Sequence, residues 1–325
     1  MPVKENKKLF CKEFVSDWVS VIIPTYNRQN FLEAAVESVI HQAYRPIECL
    51  IIDDGSTDNT NEVVKRLMDK NDEEFTVKYI YQDRSGTQSA RNAGTSASTG
   101  EFIQYLDSDD VLYPEKIEKQ VSFMKNNTEC DGVFGDWEKG DFKIKELVKA
   151  YESNDMIDQL LNQKSIVNFS FLMRRRIISK IGEWDVKIKR NQEIDFQVTG
   201  LIEGAVYKHQ PQNCGLWRIH NDERIANTTG SKEILYFVRK WEKVLQQRGL
   251  LTKSLKENIA NVLFWEAVRE TEKLQKGRID LLLEAIRLDT NIPFYNTPKM
   301  RLMVRLMTKR LALKLWLAWF KKHLK

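Results

Sequence analysis

Long hydrophobic runs are missing from this sequence: no stretch approaches the roughly 18–20 uninterrupted apolar residues that a membrane-spanning helix needs. The N-terminal residues also lack the apolar core of a secretory signal peptide. The four cysteines form no C-x-x-C pair and lie mostly in apolar stretches, which favours reduced, buried thiols over a zinc site or a disulfide framework. These absences predict a cytoplasmic protein.

Two nucleotide-binding motifs are missing as well. No G-x-G-x-x-G follows the first apolar stretch and no G-x-x-x-x-G-K-[ST] occurs, which disfavours dinucleotide oxidoreductases and P-loop ATPases. What the sequence does contain is typical of a globular protein, with 325 residues of which 42% are hydrophobic and 30% are charged. This length suggests two modules.

Positive charge is concentrated near the C-terminus. Nine of the 51 Lys and Arg residues lie within residues 299–325, a segment with no Asp or Glu, so the rest of the chain is mildly acidic although the net charge is +5. Basic residues spread evenly would suggest a nucleic-acid partner. This uneven distribution predicts contact with an anionic membrane surface through residues 299–325 and no binding of nucleic acid.

Short apolar stretches alternate with amphipathic segments through the first third of the chain. The stretches that predict strands are 18–24, 47–53, 76–81 and 101–107, and the segments that predict helices are 31–42, 60–68, 89–97 and 114–125. This alternation predicts an α/β fold with a mostly parallel, Rossmann-like central sheet and helices on both faces. In such a sheet, ligands bind outside the carboxyl ends of the strands.

The alternation weakens after Asp136. Further strands are predicted at 166–173, 205–209 and 214–219, further helices at 175–181 and 193–203, and helices alone from Lys232 onward, at 234–248, 255–275 and 279–288. The pattern predicts four regions, namely an N-terminal extension (1–17), an α/β domain (18–230), a helical region (231–290), and a linker with a basic amphipathic helix (291–325).

Three acidic clusters lie at predicted strand ends or at a helix start. They are Asp53-Asp54-Gly55-Ser56-Thr57-Asp58, Asp107-Ser108-Asp109-Asp110 and Gln192-Glu193-Ile194-Asp195. Carboxylates gathered in one cleft repel each other unless a cation compensates, and Asp-x-Asp offers the oxygen ligands that Mg²⁺ or Mn²⁺ prefers. Because Mg²⁺ commonly completes its shell with substrate phosphates, the clusters predict a cation that holds a diphosphate. For Asp58, a simple helix cap is the preferred interpretation.

Four short motifs follow the predicted strands or open the predicted helices in this region. They are Pro24-Thr25-Tyr26-Asn27-Arg28, Asp53-Asp54-Gly55-Ser56-Thr57-Asp58, Ala90-Arg91-Asn92-Ala93-Gly94 and Asp107-Ser108-Asp109-Asp110. In this order they resemble the family 2 glycosyltransferases, which have the GT-A fold. The resemblance is close over residues 19–125 and continues more weakly to His220. It does not reach the helical region after Lys232.

The resemblance implies a role for each matching residue. Those implied in nucleotide binding are Pro24, Thr25, Asp54, Arg91 and Asp107, with Asp54 accepting a hydrogen bond from the base. Those implied in binding a divalent cation, Mn²⁺ or Mg²⁺, are Asp109 and His220, although Arg218 or Arg224 could equally meet the phosphates. Those assigned to the acceptor or sugar pocket are Asp110, Trp137, Trp184 and Asp195. Glu193 matches the position of the general base.

At the position of the base the chain departs from the family pattern, which more often has Glu-Asp where this chain has Gln192-Glu193. Either Glu193 or Asp195 could therefore be the base. Helical residues two apart point about 200° away from each other, so only one of them can face the cleft. Asp195 continues an apolar pattern with Phe196 and Val198, which favours Glu193.

Residues 300–324 predict a helix with basic residues on one stripe and apolar residues on the other. Trp316, Trp319 and Phe320 would lie at the level of the lipid headgroups if this helix contacts a membrane. The alternative is an ordinary helix that packs within the protein or forms a contact between subunits. The sequence therefore leaves the formation of a homo-oligomer as an open alternative.

These features predict a metal-dependent, inverting glycosyltransferase on the inner face of the cell membrane. It moves one sugar from a nucleotide diphosphate donor, a UDP-sugar, to a hydroxyl of a glycan or lipid-linked acceptor by a single displacement. The processive-synthase pattern Gln-x-x-Arg-Trp is absent, which favours single addition over polymer synthesis. The alternatives are a catalytically inactive nucleotide-sugar-binding or membrane scaffold protein and, with less support, a sugar nucleotidyltransferase.

Overall fold

The computed structural model of the protein describes residues 14–162, 166–220, 230–268 and 277–290, together with Ala312, Leu313 and Trp316. The chain divides into two compact units. The described part of the first comprises residues 14–157, 166–186 and 192–220, and that of the second comprises 158–162, 187–191 and the described residues from 230 onward.

Four strands of the first unit pair in parallel. β1 (Val15–Thr25) lies between β2 (Ile47–Asp53) and β4 (Gly100–Tyr105), and β3 (Phe75–Tyr81) pairs with the far side of β2. The helices that alternate with them are α1 (Leu32–Ile40), α2 (Thr60–Met68), α3 (Thr87–Ala97) and α4 (Lys116–Asn126). Parallel neighbours need such crossovers, so the alternation in the sequence builds this half of the sheet.

The other half of the sheet mixes strand directions. Its strands are β5 (Val111–Leu112), β6 (Gly132–Gly140), β7 (Lys145–Val148), β8 (Leu172–Arg174) and β9 (Tyr207–Arg218). β8 is antiparallel to β4 and β6, and β9 is parallel to β6 and antiparallel to β5. The order among the described strands is β3-β2-β1-β4-β8-β6-β9-β5, with β7 antiparallel to β6. The remaining helices before residue 205 are α5 (Met156–Leu161), a 3-10 turn (Asn168–Ser170), α6 (Arg175–Ile181) and α7 (Gln192–Ile202).

The close packing of α3 on the sheet depends on Gly94. A Cβ atom added there would lie 2.5 Å from Cγ2 of Ile22 in β1 and 3.0 Å from Cγ1 of Ile52 in β2. Every residue of β2 is buried, as expected for a strand that is paired on both edges and covered on both faces. The glycine therefore lets α3, which carries Arg91, approach the strand ends closely.

Most of the predicted elements of the first unit are confirmed, and the bounds predicted for β2 and α2 agree with those observed. The strand predicted at 166–173 is wrong in most of its length, because it holds a 3-10 turn and only the start of β8. The strands predicted at 205–209 and 214–219 are one strand, β9. Its middle, 210–213, is polar and includes a proline, so it lacks the apolar pattern of a strand, and the pairing with β6 continues past it with register shifts.

The described part of the second unit is helical from residue 230 onward. It contains α8 (Ser231–Gln247), α9 (Lys253–Val268) and α10 (Arg278–Leu288), which confirms the helices predicted there as far as they are described. Its core includes Trp241, Ile259 and Leu281, all nearly or fully buried. Within the same unit, Arg190 forms an ion pair at 2.9 Å with the buried carboxylate of Glu266.

Of the predicted basic helix at 300–324, the structure describes Ala312, Leu313 and Trp316. All three are buried, and the Trp316 ring lies 6.0 Å from that of Phe264 in the same unit. The burial of Trp316 supports the packing alternative at this residue over a position among lipid headgroups. Residues 1–13, the linker from residue 291 and Arg224 lie outside the described residues, and no described helix is both long and apolar enough to cross a membrane.

A lysine is buried in the first unit, and no carboxylate of the described residues forms an ion pair with it. Lys116 opens α4, is 1% exposed, and donates hydrogen bonds to Oε1 of Gln104 and to the carbonyl oxygen of Phe171. Because both acceptors are neutral, burial dominates and lowers the pKa of Lys116 from 10.5 to about 7. Between those two pH values the unfolded chain binds more protons than the folded chain, so this group makes stability rise with pH.

We expect Lys116→Met to abolish this contribution. The free energy of unfolding of the original protein, relative to that of Lys116→Met, should rise by roughly 1.4 kcal/mol per pH unit between pH 7 and 10. Urea denaturation at several pH values measures it. Lys119→Met, which removes an exposed lysine from the same helix, is the matched control and should show a constant difference. Parallel pH profiles for Lys116→Met and the original protein would contradict the assignment.

Candidate active site

Two loops at the carboxyl ends of β1 and β2 are fastened to each other. Oδ1 of Asn27 accepts a hydrogen bond from the Thr57 backbone N–H at 2.8 Å. Asp58 accepts hydrogen bonds from the backbone N–H groups of Gln29 at 3.1 Å and Thr60 at 3.0 Å. Burial raises the pKa of Asp58, but a hydrogen bond from the Thr60 hydroxyl together with these two outweighs it, so the net pKa is below its ordinary value. Asp58 thus caps the start of α2 and joins the two loops, in line with the simpler interpretation of this residue.

Asp54, which was expected to contact a nucleobase, is 2% exposed and already accepts four hydrogen bonds. Its Oδ1 accepts from Gln82 Nε2 at 2.7 Å and the Ser85 N–H at 2.8 Å, and its Oδ2 from Arg84 at 2.6 Å and the Gly86 N–H at 2.8 Å. A carboxylate offers about four lone-pair sites, so these donors occupy it fully. Asp54 therefore holds the segment between β3 and α3, and a contact with a base would have to replace one of these bonds.

The end of β1 carries a buried hydroxyl group. Pro24 and Thr25 are both buried, and Thr25 pairs with Asp53 at the end of β2. Oγ1 of Thr25 is buried and has no hydrogen-bond partner among the described residues. Buried hydroxyl groups in proteins nearly always have a partner, so this atom is suited to contact a ligand at the strand ends.

Arg91 joins three separate parts of the chain. It lies on α3 and is 1% exposed. Its Nη2 donates to Asp107 Oδ1 at 2.7 Å and to Glu193 Oε1 at 3.2 Å, and its Nη1 donates to Gln192 Oε1 at 3.2 Å. Burial lowers the pKa of Arg91, but the two carboxylates more than compensate and the net pKa is above its ordinary value. The guanidinium therefore fixes the loop after β4 against the start of α7.

An aromatic cluster holds Arg91 in place. The guanidinium carbon lies 4.4 Å from the ring centre of Trp184, and this ring stacks in parallel on Phe196 at 4.1 Å. The backbone of Trp184 is held in turn by Asn92, whose Nδ2 donates to the Trp184 carbonyl at 3.0 Å and whose Oδ1 accepts its N–H at 2.7 Å. Cation–π contact with a desolvated tryptophan stabilises a buried guanidinium. Asn92 and Trp184 thus support the position of Arg91.

The acidic segment after β4 is electrostatically strained. Burial raises the pKa of Asp107, Arg91 opposes this, and the charges of Glu193 and Asp109 raise it further, so that the net pKa is above its ordinary value. Burial and the charges of Asp109 and Asp107 raise the pKa of Asp110 well above its ordinary value. Crowded carboxylates of this kind favour the binding of a cation.

Asp109 and His220 are in direct contact. Nε2 of His220 lies 2.9 Å from Oδ2 of Asp109, and the imidazole ring packs on Phe31 with ring centres 4.5 Å apart. Nδ1 of His220 is buried and has no hydrogen-bond partner among the described residues, while the side chain of Asp109 is about one-quarter exposed. One oxygen donor and one nitrogen donor thus meet at the edge of the cleft.

These two side chains fit a divalent cation that is bound together with a substrate. In the described ranges, no group of three or more His, Cys, Asp or Glu side chains is arranged to hold a metal ion. Mg²⁺ sites commonly use one or two protein carboxylates and take their remaining ligands from phosphates and water. The donor set of Asp109 and His220 therefore suits a cation that also contacts a diphosphate.

Arg218 anchors the acidic segment that follows β4. Its N–H donates to Asp110 Oδ1 at 3.0 Å, and its guanidinium donates to the carbonyl oxygens of Asp109 and, at 3.0 Å, of Phe31. The side chain is 6% exposed. In this structure Arg218 thus anchors the loop that carries Asp109, while the sequence alone left a contact with phosphate equally open.

Of the residues that the sequence singled out, contacts join Arg91 with Asp107, Glu193 and Trp184, and Asp109 with His220. The pocket candidates Asp110, Trp137, Trp184 and Asp195 are all buried, with exposures between 3% and 6%. Glu193 and Asp195, both on α7, differ in exposure. The side chain of Glu193 is 32% exposed, whereas Asp195 is buried. The positioning role of Asn92 was missed, although its motif was recognised, because the partner segment at Trp184 is 92 positions away.

Comparisons with known proteins agree with this fold. The model of the glycosyl transferase family 2 matches residues 20–182, which is half of the chain. An uncharacterized glycosyltransferase of Haemophilus influenzae is 36% identical over 131 residues, covering 39% of this chain and 51% of that protein. One of Rickettsia felis is 45% identical over 109 residues, covering 34% of this chain and 17% of that protein. The chain thus spans about half of the length of the first relative and about a sixth of the length of the second.

Two solved structures resemble the fold over most of the chain. TarS of S. aureus in complex with UDP-GlcNAc has a TM-score of 0.53 at 15% identity, covering 86% of this chain and 74% of that one. The mannosyltransferase PcManGT from Pyrobaculum calidifontis, in complex with GDP-Man and Mn²⁺, has a TM-score of 0.50 at 14% identity, covering 93% and 87%. At such low identity the likeness concerns the fold, which is the GT-A fold. Together with the match of its sequence, this fold shows that the chain belongs to glycosyl transferase family 2.

Proposed function

We propose that the protein is an inverting glycosyltransferase that moves a single sugar from a UDP-sugar to a hydroxyl group of a glycan or lipid-linked acceptor. The observation that carries this proposal is the bridge from Arg91 to Asp107 and Glu193. It holds a partly exposed carboxylate, suited to act as a base, beside the acidic segment that suits a cation and a diphosphate. Neither feature alone would favour sugar transfer.

The donor is proposed to lie across the carboxyl ends of β1, β2 and β4. There the ring of Pro24 and the hydroxyl of Thr25, which has no partner among the described residues, would face the nucleobase, with Asp54 next to them. Asp107 would face the ribose. The nucleotide-sugars bound to the two structural neighbours, UDP-GlcNAc and GDP-Man, support a donor of this class. The choice of UDP rests on the resemblance of the four motifs.

Asp109 and His220 are the residues that would hold a divalent cation, Mn²⁺ or Mg²⁺. When bound, such a cation supplies Lewis-acid stabilisation of the negative charge that develops on the departing diphosphate. Arg218 keeps the backbone of Asp109 in position through its carbonyl oxygen. Phe31 supports the imidazole of His220 from one side.

Glu193 is proposed as the general base. Its Oε1 accepts the hydrogen bond from Arg91, so the carboxylate is oriented while its exposed part can receive a proton from the acceptor hydroxyl. The hydroxyl oxygen then forms a bond to the anomeric carbon as the bond from that carbon to the diphosphate breaks. One displacement without a glycosyl-enzyme intermediate inverts the anomeric configuration.

The acceptor is proposed to be a glycan or a lipid-linked precursor at the inner face of the cell membrane. The nine basic residues of 299–325 support association with an anionic surface, at about 1 kcal/mol for each residue close to it. Trp316 does not belong to that contact, because it packs inside the second unit.

We expect the purified protein to release nucleotide from a UDP-sugar only when Mn²⁺ or Mg²⁺ is present. Asp109→Ala should lower this turnover about 100-fold or more, because one of the two protein ligands of the cation is lost. A screen of nucleotide sugars with and without a chelator measures it. Asp83→Ala, at an exposed position, is the control and should keep full activity. Full turnover by Asp109→Ala would show that the cation assignment is wrong.

Glu193→Gln should lower the rate of sugar transfer to the acceptor by a factor of about 10² to 10⁴, because the amide cannot take up the proton. The Kd for UDP should stay nearly unchanged. Single-turnover kinetics and UDP titration measure the two quantities. Asp195→Asn is the comparison, since it removes the other carboxylate of the same helix. If Asp195→Asn binds UDP but has lost transfer, and Glu193→Gln is active, the base is Asp195.

The variant Arg91→Lys distinguishes a role of Arg91 in positioning other side chains from a direct contact of Arg91 with the nucleotide. A lysine cannot reach Asp107, Glu193 and Gln192 at once, so we expect kcat to fall about 10- to 100-fold through loss of orientation. The Kd for UDP should change less than kcat, because the guanidinium is already committed to these three acceptors and reaches the nucleotide only through Asp107. A raised Kd with an unchanged kcat would assign Arg91 to the nucleobase wall instead.

A further inference from the structure

The hairpin of β6 and β7 carries apolar side chains at its tip that point into solvent. Residues 141–144 form the turn between the strands, and two of them, Phe142 and Ile144, are 65% and 81% exposed. These are the highest exposures of any large hydrophobic residue in the described part of the chain. Burying such side chains is favourable, so an exposed apolar cluster at one tip marks a contact surface.

The exposure does not come from a loosely held turn. Oδ1 of Asp141 accepts the backbone N–H groups of Lys143 and Ile144, both at 2.7 Å, and the N–H of Asp141 donates to the carbonyl of Ile144 at 2.9 Å. The hydrogen bonds from Ile144 and Lys143 hold the pKa of Asp141 below its ordinary value. Gly140 has a φ of 154°, and a Cβ there would lie 2.1 Å from the Ile144 carbonyl oxygen. The chain thus presents Phe142 and Ile144 in a defined shape.

The tip lies beside the candidate active site in the same unit. The N–H of Ile219 donates to the carbonyl of Gly140 at 2.6 Å, and Ile219 is itself 51% exposed. The ring of Phe142 lies 5.7 Å from the guanidinium of Arg218, which holds the backbone of Asp109. Any surface that receives the tip is therefore brought next to the proposed cation site.

Lysines outnumber acidic residues around this apolar tip. From residue 138 to residue 149 the lysines are Lys139, Lys143, Lys145 and Lys149, against Glu138, Asp141 and Glu146, and Lys145 forms an ion pair with Glu138 at 2.7 Å. Asp141 stays charged, since the backbone of the turn holds its pKa low, and the exposed lysine of the turn itself is Lys143. Lysines around exposed apolar side chains complement a surface that is apolar inside and anionic outside.

We propose that the tip of this hairpin, with Phe142 and Ile144 at its centre, inserts into the headgroup region of an anionic lipid bilayer. A convex turn of four residues is too small for the roughly 800 Å² that each partner of a stable protein interface buries. A bilayer accepts such a tip, since apolar side chains enter the acyl boundary while the lysines stay among the headgroups. The excess of lysines, with Lys143 in the turn itself, favours anionic lipids.

The inference deepens the proposed function and rests on it for its biological meaning. A tip held in the membrane places Asp109 and Glu193 near the headgroups, where a lipid-linked acceptor presents its hydroxyl groups. Membrane contact would then be made by the unit that carries the site, independently of residues 299–325.

Sedimentation of the full chain with vesicles tests this. We expect binding to vesicles of phosphatidylglycerol and phosphatidylcholine to weaken with added salt, and Ile144→Asp to lower the partition coefficient at least tenfold. Leu250→Asp is the matched control, because it introduces the same charge at a 43% exposed leucine in the other unit and should leave binding unchanged. Both variants should keep the Kd for UDP, which shows that they are folded.

Equal binding of Ile144→Asp and the original protein would overturn the proposal and assign any vesicle binding to another segment. Absence of binding by the original protein would overturn it as well. Phe142→Ser combined with Ile144→Ser gives a second test without an added charge, and it should also lose binding. Because vesicle binding needs no catalysis, its failure is distinguishable from a failure of nucleotide release, which tests the proposed function separately.

Discussion

A single buried guanidinium organises the candidate active site. Arg91 reaches Asp107 across 16 positions of the chain and Glu193 across 102, and it can do so only because α3 lies close to the strand ends. A buried charge needs both partners and packing, and here two carboxylates supply the first while the Trp184 ring supplies the second. The positions of the loop after β4 and of the start of α7 therefore both depend on the guanidinium of Arg91.

Around the guanidinium of Arg91, some polar groups of the site bind other parts of the protein, and others remain available for a ligand. Asp54, Asp58 and Arg218 use their hydrogen-bonding capacity to fasten loops to one another. Thr25 and His220 each keep a buried polar atom without a partner among the described residues. Such a division is what a preorganised site requires, because the fastened loops hold the remaining donors and acceptors in place before substrate arrives.

Two parts of the chain bear on how the enzyme would meet its acceptor. The basic residues of 299–325 attract attention in the sequence, yet Trp316 within that segment packs inside the second unit. The hairpin tip at Phe142 and Ile144 has no comparable signal in the sequence, because a few apolar residues among lysines occur in many surface loops. Its exposure and its place beside Arg218 are what distinguish it.

The parallel half of the sheet could be predicted from the amino-acid sequence because its signals are local. Apolar runs such as 47–53 and amphipathic segments such as 60–68 are decided by neighbouring residues, and the motifs at the strand ends indicated the family. The continuity of β9 and the pairing of β6 with β7 depended on strands far away in the chain, so their polar or mixed sequences indicated little. The pairing of Arg91 with Glu193, the saturation of Asp54 and the support of Trp184 by Asn92 were likewise decided only by tertiary structure. Hydrogen bonds between distant segments depend on how the chain packs, and the spacing of residues along the sequence does not indicate this packing.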